Sequence, residues 1–443
     1  MSHYIPKNDT NEKEILDSLE ISDFEELVSI IPKKLRVKNS ILGLNPGISE
    51  HELIEYIDSL TLKDKLSSKS LCFSGGGVYD HFIPKVIDFI SSRSEFNTSY
   101  TPYQPEVSQG TLQYIYEFQS MICELSGLDI SNASLYDGAS AMAEACSLSL
   151  SHTRNKKILI SSTVNPVYVD VVKTYLKYRG AEIEILPSME GVTDIEKVSK
   201  INMDDVACVV IQSPNYYGYI EDWKKYSNLL KDYKGLLVAS SDPISLSILE
   251  SPGESNADIY VGEGQCLGNY LSYGGPYLGL FAIKENLKRK LPGRVVGMTT
   301  DVNDKDGFVL TLQTREQHIR RSKATSNICT NQGLLALRAV IYMSLLGKEG
   351  LPSLAKLCFN KAQYAAKLIS QIDGFDLFHK RTDFVKEFTV KTKFSASKLH
   401  AKSEEKGILF DCVDENLIKF SFTEKRSKKD IDYLVEFLTS YNE

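Results

Sequence analysis

Residues 258–279, DIYVGEGQCLGNYLSYGGPYLG, are arranged as if to present one side chain for chemistry. The apolar residues before Gly262 predict a short strand that ends in a polar loop, and the glycine turn at 274–276 leads into a second apolar run at 278–283. Several α/β enzymes present a reactive side chain between two such strands, at the carboxyl edge of a sheet. Here that side chain is Gln265, which can neither form a Schiff base nor act as a base. The pattern therefore predicts the frame of a catalytic site that lacks its reactive residue.

The elements around this stretch predict an α/β fold. Apolar runs at 157–161, 181–186, 206–212 and 235–240 alternate with amphipathic helical patterns. Strands separated by helices imply a mostly parallel, doubly wound sheet, which binds ligands at the carboxyl ends of its strands. Because Asn215, Asp242 and Gln265 each follow a different strand, we expect them along that edge.

A pyridoxal phosphate (PLP) enzyme of the commonest fold needs four groups on such a sheet. They are a helix N-terminus for the phosphate, an aromatic ring against the cofactor, an aspartate for the pyridine nitrogen and a lysine for the Schiff base. The Gly-Ala-Ser turn that opens a helix at residues 138–141 supplies the first, and Asp242 supplies the third. No lysine lies between residues 235 and 283, so the fourth is missing where it is expected.

The composition is that of an ordinary globular protein. A chain of 443 residues has room for about two or three domains and a large core. The formal net charge of −7 argues against nucleic acid or an anionic membrane as a partner, and no apolar run approaches the ~18 residues of a membrane-spanning helix. Eight scattered cysteines without a CxxC pair, together with a polar N-terminus, predict reduced thiols and a cytoplasmic location.

Two further segments are suited to contact a ligand or a second chain. Residues 99–110, SYTPYQPEVSQG, combine tyrosines and prolines with polar side chains, which predicts a rigid exposed loop. Residues 315–323 hold three arginines and a lysine, a pattern that is also typical of a solvated helix face. The stretch ATSNICTN at 324–331 has many hydroxyl groups and no charge, which suits an interface loop.

The pattern predicts three parts of the chain. Residues 1–95 form a helical N-terminal arm, with helices expected at 11–19, 23–31 and 49–60, and the arm has too little apolar sequence to fold alone. Residues 96–330 form the large α/β domain. Residues 331–443 begin with a long helix and form a smaller α/β domain with expected strands at 384–390 and 417–422.

Several long motifs resemble one family along the whole chain. They are YTPYQPEVSQG at 100–110, LYDGAS at 135–140, VGEGQCLG at 261–268, GGPYLG at 274–279, PGR at 292–294 and TREQHIRRSKATSNICTNQ at 314–332. In these motifs the sequence resembles the first subunit of the glycine decarboxylase P-protein in its two-polypeptide form. The resemblance implies the aminotransferase-like fold of fold type I PLP enzymes. One departure is Asn165 before Pro166, where His-Pro is expected in this family.

The resemblance also implies roles for residues at the sheet edge. In this family the second subunit holds the cofactor lysine, and Gln265 here falls on that lysine position. Ser140 falls on the ring-stacking histidine and Asp242 on the aspartate that pairs with the pyridine nitrogen. The chain would therefore carry a degenerate copy of the catalytic site and bind no PLP covalently, while the partner subunit holds the cofactor.

The resemblance implies a partner subunit and a reaction. Together with the lysine-bearing glycine decarboxylase subunit 2, in an α2β2 heterotetramer, the chain would decarboxylate glycine by means of PLP. The aminomethyl group would pass to the lipoyl arm of the carrier H-protein. Two alternatives stay open: a non-catalytic scaffold with the PLP-enzyme fold, and a self-sufficient PLP enzyme that uses an unidentified lysine.

Two sets of residues would complete the partner's active site. The loop residues expected to line the entrance for glycine and the lipoyl arm are Tyr100, Tyr103, Gln104, Glu106, Ser108 and Gln109. In related folds a Thr-x-Asn motif before a long helix reaches the neighbour's cofactor phosphate, and Thr325 and Asn327 match it. The alternatives are that Thr325 only caps a helix and that the loop is only a structural interface.

Overall fold

The computed structural model describes residues 9–36, 45, 47–61 and 70–441, and the chain divides into two compact units, residues 1–64 and 65–443. The first unit contains the helices α1 (Asp9–Ser18), α2 (Phe24–Leu27) and α3 (Glu50–Thr61). Helix α3 begins as predicted, because the Ser49 hydroxyl accepts a hydrogen bond from the Glu52 amide while Glu52 accepts one from the Ser49 amide. The predicted helix at 23–31 is shorter, since a 3₁₀ turn follows α2.

The second unit contains the remaining helices. They are α4 (Lys85–Ser91), α5 (Ser94–Asn97), α6 (Gln109–Ser126), α7 (Gly138–Thr153), α8 (Pro166–Leu176), α9 (Ile195–Val198), α10 (Trp223–Leu230), α11 (Pro243–Leu246), α12 (Gln317–Arg320), α13 (Gly333–Ile369), α14 (Ala396–Glu405) and α15 (Lys428–Ser440). Helix α13 is broken at Gly347, whose φ of 63° is left-handed and which therefore divides α13 into two helical segments.

Strands alternate with these helices along the second unit. They are β1 (Leu71–Cys72), β2 (Ile130–Ser131), β3 (Lys157–Ser161), β4 (Glu182–Leu186), β5 (Ser188–Met189), β6 (Val192–Thr193), β7 (Val206–Gln212), β8 (Leu236–Ser240), β9 (Ile259–Glu263), β10 (Gly279–Ile283), β11 (Val295–Thr300), β12 (Asp306–Thr311), β13 (Phe375–Leu377), β14 (Glu387–Thr392), β15 (Ile408–Leu409), β16 (Asp411–Asp414) and β17 (Leu417–Ser421). Strand β9 includes Gly262 and Glu263, so the prediction that these two residues belong to the loop is wrong.

A seven-stranded sheet forms the centre of the second unit, in the order β2-β10-β9-β8-β7-β3-β4. The strands from β9 to β4 are parallel, whereas β10 runs antiparallel to both β9 and β2. Alternate residues of β7 lie in different core clusters: Val209 and Ile211 in one, Cys208 and Val210 in the other. Both faces of the sheet are therefore covered, which confirms the predicted mostly parallel α/β fold.

A smaller antiparallel sheet, in the order β13-β14-β17-β16, packs with α15 and the second half of α13 around a phenylalanine-rich core. The sequence predicts β14 and β17 but not their edge neighbours β13 and β16. The domain boundaries at residues 95 and 330 stay predictions. Among the helices of the described residues, none combines the length and the apolar character that crossing a bilayer requires.

Candidate functional site: a cofactor-like site and an exposed tyrosine loop

The residues that follow β7, β8 and β9 lie at one edge of the sheet, as predicted, because these three strands are parallel. Asp242 follows β8 and caps the short helix α11, and Gln265 follows β9. Asn215 follows β7, but its side chain accepts hydrogen bonds from the Tyr217 and Tyr219 amides at 3.0 and 3.1 Å. The Asn215 side chain therefore stabilises the turn at residues 215–219. Of the three predicted residues, Asp242 and Gln265 are the two that belong to the candidate site.

Both oxygens of the Asp242 carboxylate have partners within the chain. Oδ2 accepts hydrogen bonds from the amide and the hydroxyl of Ser245, at 2.8 and 2.7 Å. Oδ1 accepts one from Nζ of Lys386, at 2.7 Å. The Lys386 side chain is 2% exposed and the Asp242 side chain 10%. The aspartate that the sequence assigns to a pyridine nitrogen is thus paired with a lysine of the same chain.

The pair formed by Lys386 and Asp242 is ionic. Burial has the largest single effect on the pKa of Lys386 and lowers it, but the Asp242 carboxylate, Cys266 and Cys358 together raise it more, and the result lies above the usual range for lysine. Burial raises the pKa of Asp242, but Lys386 and the Ser245 hydrogen bonds lower it more, and the result lies below the usual range. Both shifts favour the charged forms. Because a Schiff base needs a free amine, Lys386 is poorly placed to be the missing reactive lysine.

Helix α7 begins at Gly138, where the sequence predicts an anion site, and a carboxyl group of the same chain lies against its first amide. Oε2 of Glu263 accepts a hydrogen bond from the Gly138 amide at 2.9 Å, and Oε1 accepts from the amides of Gln265 and Leu278 at 2.9 and 3.0 Å. Burial raises the pKa of Glu263 to about 8, while the hydrogen bonds from these amides act to lower it. Glu263 therefore takes the backbone donors that would otherwise bind an external anion.

Gln265 joins its loop to the segment around Tyr79. Its Oε1 accepts a hydrogen bond from the Tyr79 amide and its Nε2 donates one to the Asn269 carbonyl, both at 2.8 Å. The Tyr79 hydroxyl donates to Glu387 at 2.9 Å, and Nζ of Lys386 lies 3.5 Å from the centre of the Tyr79 ring. Both ends of the Gln265 amide are therefore bonded within the chain, at the position that the resemblance assigns to a cofactor lysine.

Ser140 has a purely local role in the structure. Its hydroxyl accepts a hydrogen bond from the Asp137 amide at 3.1 Å, and its own amide donates to the Asp137 carboxylate at 2.7 Å. This is a capping box that opens α7. Ser140 does not line the cavity at the sheet edge, so the position assigned to a stacking ring carries a helix cap instead.

The cavity that remains at the sheet edge is too small for PLP. Tyr79, Tyr168, Asp242, Glu263 and Lys386 are among the residues around it, and its volume is about 20 Å³. A volume of about 10–15 Å³ is enough for one water molecule, so a pyridine ring with a phosphate group cannot enter. The groups that would hold the phosphate and the pyridine nitrogen are already bonded to Glu263 and Lys386. This chain's own site does not fit PLP.

Sequence reasoning missed Lys386, Glu263 and Tyr79 as members of this site. Lys386 lies 144 positions from Asp242 along the chain, so no local motif connects them. One signal was present: the run FVKEFTV places Lys386 and Glu387 inside an apolar strand pattern, which is unusual for charged residues unless they are paired.

Asn165, the departure from the expected His-Pro, caps α8 and donates a hydrogen bond to the Gly76 carbonyl at 2.7 Å.

The predicted loop at residues 99–110 is exposed and carries its aromatic rings outward. Tyr100 is 80% exposed and Tyr103 is 53% exposed. Gln104 and Glu106 are also exposed, and Ser108 is half-buried at the start of α6. Gln109 follows, and its side chain exchanges two hydrogen bonds of 2.9 Å with the backbone of Phe308 in β12. Gln109 therefore fixes the loop to β12, and the two tyrosines are the aromatic residues that the loop exposes.

A buried arginine lies under the tyrosine loop. Arg294 is 3% exposed, and its guanidinium carbon lies 5.5 Å from the centre of the Tyr103 ring. Its Nη1 donates to Asn331 at 3.2 Å, while Nε has no hydrogen-bond partner among the described residues. The Tyr100 hydroxyl lies 3.4 Å from the Thr330 hydroxyl. Three motifs that are distant in the sequence, at 100–110, 292–294 and 314–332, thus meet here.

Thr325 lies in an irregular segment and caps no helix. Helix α13 begins at Gly333, and its N-cap residue is Gln332, so the cap interpretation of Thr325 is wrong. The Thr325 carbonyl accepts hydrogen bonds from Arg179 at 3.1 Å and from the Ser147 hydroxyl at 3.3 Å. Asn327 is exposed. The backbone of the Thr-x-Asn motif is therefore fixed to the body of the second unit, and the structure shows no contact that assigns the motif a ligand.

The fold and this edge of the sheet define a class of protein. The structure superimposes on C-DES, solved as a mutant with glycine covalently linked to its PLP cofactor, with a TM-score of 0.63 at 12% identity, covering 85% of this chain and 97% of that chain. The architecture is that of the fold type I PLP-dependent enzymes, as predicted.

The comparisons then identify the family. The family model for the glycine cleavage system P-protein matches residues 2–438. A relative from Chloroherpeton thalassium, named probable glycine dehydrogenase (decarboxylating) subunit 1, is 48% identical over 98% of this chain and 99% of its own length. A solved structure of glycine decarboxylase (P-protein) of the glycine cleavage system, in inhibitor-bound form, has a TM-score of 0.87 at 37% identity and covers 99% of both chains. The chain belongs to the glycine cleavage system P-protein family.

Proposed function

We propose that this chain is the lysine-free subunit of a two-polypeptide glycine decarboxylase. With a lysine-bearing partner subunit it decarboxylates glycine and transfers the aminomethyl group to the lipoyl arm of H-protein. The observation that carries the proposal is the closed sheet edge: Glu263 and Lys386 bind the groups that a cofactor would need, in a chain whose relatives are named subunit 1. A P-protein with no room for PLP of its own needs a second chain to supply it.

The partner subunit holds the PLP in this proposal, and this chain binds none covalently. Bound PLP would act as an electron sink for the electron pair that remains on the carbon when carbon dioxide leaves. Gln265 supports the assignment, because it stands at the lysine position and both ends of its amide are hydrogen-bonded inside this chain. The role left to this chain is to shape the partner's active site and to exclude water from it.

The tyrosine loop is the part of this chain that we place at the partner's active site. Its exposed rings and polar side chains, from Tyr100 to Gln109, are proposed to line the entrance for glycine and the lipoyl arm. The support is pre-organisation: Gln109 holds the loop on β12, and Arg294 lies under Tyr103. A loop that is already ordered loses little conformational entropy when a substrate binds.

Thr325 and Asn327 are proposed to contact the phosphate of the partner's cofactor. No hydrogen bond of the Thr325 hydroxyl is found among the described residues, and its backbone carbonyl is fixed by Arg179 and Ser147. A hydroxyl on a fixed backbone that makes no internal bond is suited to an acceptor on another chain. Asn327 is exposed beside it and can donate to the same group.

The complex that we propose is an α2β2 heterotetramer in the cytoplasm, which H-protein visits during each reaction cycle. The eight free cysteines suit a reducing compartment. The exposed Arg320 and Arg321 of the basic segment 315–323 support an obligate interface, because their charged groups are able to contact another chain. An obligate interface of this kind buries more than about 2,000 Å².

The test is co-expression with a lysine-bearing P-protein subunit, followed by the exchange of labelled bicarbonate into glycine. We expect exchange only when both chains are present. Borohydride reduction should then yield a pyridoxyl-lysine peptide from the partner and none from this chain. A pyridoxyl-lysine peptide from this chain would establish a self-sufficient enzyme, and an association that never yields exchange would establish a scaffold.

A further inference from the structure

The closed sheet edge is filled by groups with the same chemistry as the cofactor that it excludes. The carboxyl of Glu263 accepts a hydrogen bond from the amide of Gly138, the first residue of α7, and two more from the amides of Gln265 and Leu278. A phosphate group at the same place would accept from the same kind of donor. The ammonium of Lys386 donates to Asp242, as a protonated pyridine nitrogen would. Glu263 is 5% exposed, so both stand-in groups are inside the protein.

Lys386 reaches this edge from the other sheet. It immediately precedes β14 in the four-stranded sheet, whereas Asp242 follows β8 in the seven-stranded sheet. Next to it in sequence, Glu387 accepts hydrogen bonds from the Tyr79 hydroxyl at 2.9 Å and from the Gly76 amide at 2.9 Å. The start of β14 is thus bonded to the edge of the large sheet and to the segment at residues 76–79.

The chain of polar contacts continues beyond Lys386. Nζ of Lys386 lies 3.3 Å from Nε2 of His81, and Nδ1 of His81 lies 2.6 Å from Oε2 of Glu424. Because an ammonium group can only donate, Nε2 is the acceptor and Nδ1 carries the proton that is directed at Glu424. Cys358 lies near the same atoms, but with both nitrogens of His81 engaged this group is not arranged to bind a metal ion.

We propose that Glu263 and the Asp242–Lys386–His81–Glu424 chain form a latch that keeps this degenerate site closed, with the four-stranded sheet fastened to the edge of the seven-stranded sheet. In this arrangement the chain replaces cofactor contacts by contacts of its own. A closed site gives the partner a rigid surface to assemble on. The latch is a property of the single chain, and it stands or falls independently of the proposed function.

Amide hydrogen exchange on the full chain tests the latch. The double variant Lys386→Met/Asp242→Asn removes the ion pair without leaving a lone buried charge. We expect exchange in β14 and at residues 79–83 to become about tenfold faster or more. The matched control is Lys284→Met/Asp258→Asn, which removes another ion pair, with a distance of 2.8 Å. This pair lies where β9 begins and β10 ends, away from the site. If amide exchange in β14 and at residues 79–83 is as slow in Lys386→Met/Asp242→Asn as in the control variant, the proposal is overturned.

A second measurement tests the part played by Glu263. The variant Glu263→Ala frees the amides of Gly138, Gln265 and Leu278, so inorganic phosphate should raise its thermal midpoint. The wild-type chain and the surface variant Glu124→Ala should show no such rise. A phosphate response in the wild-type chain, or none in Glu263→Ala, would show that Glu263 does not stand in for an anion. Activity with the partner subunit is not a readout of either experiment, so a failure here leaves the proposed function intact.

Discussion

The sheet edge and the tyrosine loop differ in how far their polar groups are buried and bonded within the chain. At the sheet edge, the carboxyl and ammonium groups of Asp242, Glu263 and Lys386 are buried and bonded within the chain. At the loop, Tyr100 and Tyr103 project outward. Nearby, Arg315 donates to the Leu291 carbonyl, yet two of its nitrogens are buried without a partner among the described residues.

This difference separates a site whose charged groups are paired within the chain from a region that has exposed rings and arginine nitrogens without partners among the described residues. Leaving a buried donor unpaired costs about 1–3 kcal/mol, and more for a charged group. The unpaired nitrogens of Arg315 and Arg294 are therefore unfavourable in the lone chain, and burial lowers the pKa of Arg315 to about 10. These nitrogens are closed off from the surface, so the cost belongs to the fold of the chain itself. The same reasoning offers no role to an added cofactor at the sheet edge.

The largest expected effect is the pH dependence of the sheet edge. Burial raises the pKa of Glu263 to about 8, so the folded chain holds this proton more tightly than the unfolded chain, where a glutamate titrates near 4.5. Stability should therefore fall by a few kcal/mol as the pH rises from about 5 to about 8, because each tenfold difference in proton affinity is worth roughly 1.4 kcal/mol. The variant Glu263→Gln should lack this fall in urea unfolding series. Equal pH profiles for the two chains would contradict the prediction.

A smaller effect is expected at the tyrosine loop. Tyr103→Ala removes an exposed ring that rests on Arg294, and interface tyrosines often contribute about 2 kcal/mol or more. We expect the dissociation constant for the partner subunit to rise about tenfold to thirtyfold, as measured by titration calorimetry. Tyr178→Ala is the control, since Tyr178 is an exposed tyrosine outside the loop. The same loss in both variants would mean that the loop has no special place in assembly.

Thr325→Val should weaken cofactor binding in the complex. A hydrogen bond to a charged group contributes roughly 1.5–3 kcal/mol, so the dissociation constant of PLP should rise about tenfold or more. Because Thr325 caps no helix, the thermal midpoint of this chain without its partner should not change. Thr314→Val, in the 3₁₀ turn at residues 313–315, is the control. Unchanged PLP affinity in Thr325→Val would remove this residue from the partner's phosphate site.

The smallest expected effect belongs to Gln265→Lys. Restoring the lysine in this chain alone should give neither decarboxylation nor a pyridoxyl peptide after borohydride reduction. The reason is that Glu263 and Lys386 still fill the site and Ser140 still offers no ring. Spectral detection of a Schiff base in the purified variant would show that the site can open without further changes, which would also weaken the latch.

Local sequence patterns were sufficient for most of the fold. The strands β3 and β7 match the predicted residues, because apolar runs bounded by polar turns leave little choice of structure. The loop at 99–110 was also predicted, since two prolines restrict its backbone. The short edge strands β13 and β16 were not predicted, because they acquire their structure from neighbours that are distant in the sequence.

The α/β class, the family resemblance and the missing lysine could all be predicted from residue types and their spacing along the chain. What stands in place of the cofactor became visible only in the folded chain. Lys386 meets Asp242 across 144 positions, and Glu263 meets Gly138 across 125. Electrostatic pairing depends on distance in space, and a buried charge is tolerated only where a partner lies within a few ångströms. That partner is found by folding, and no pattern along the chain contains it.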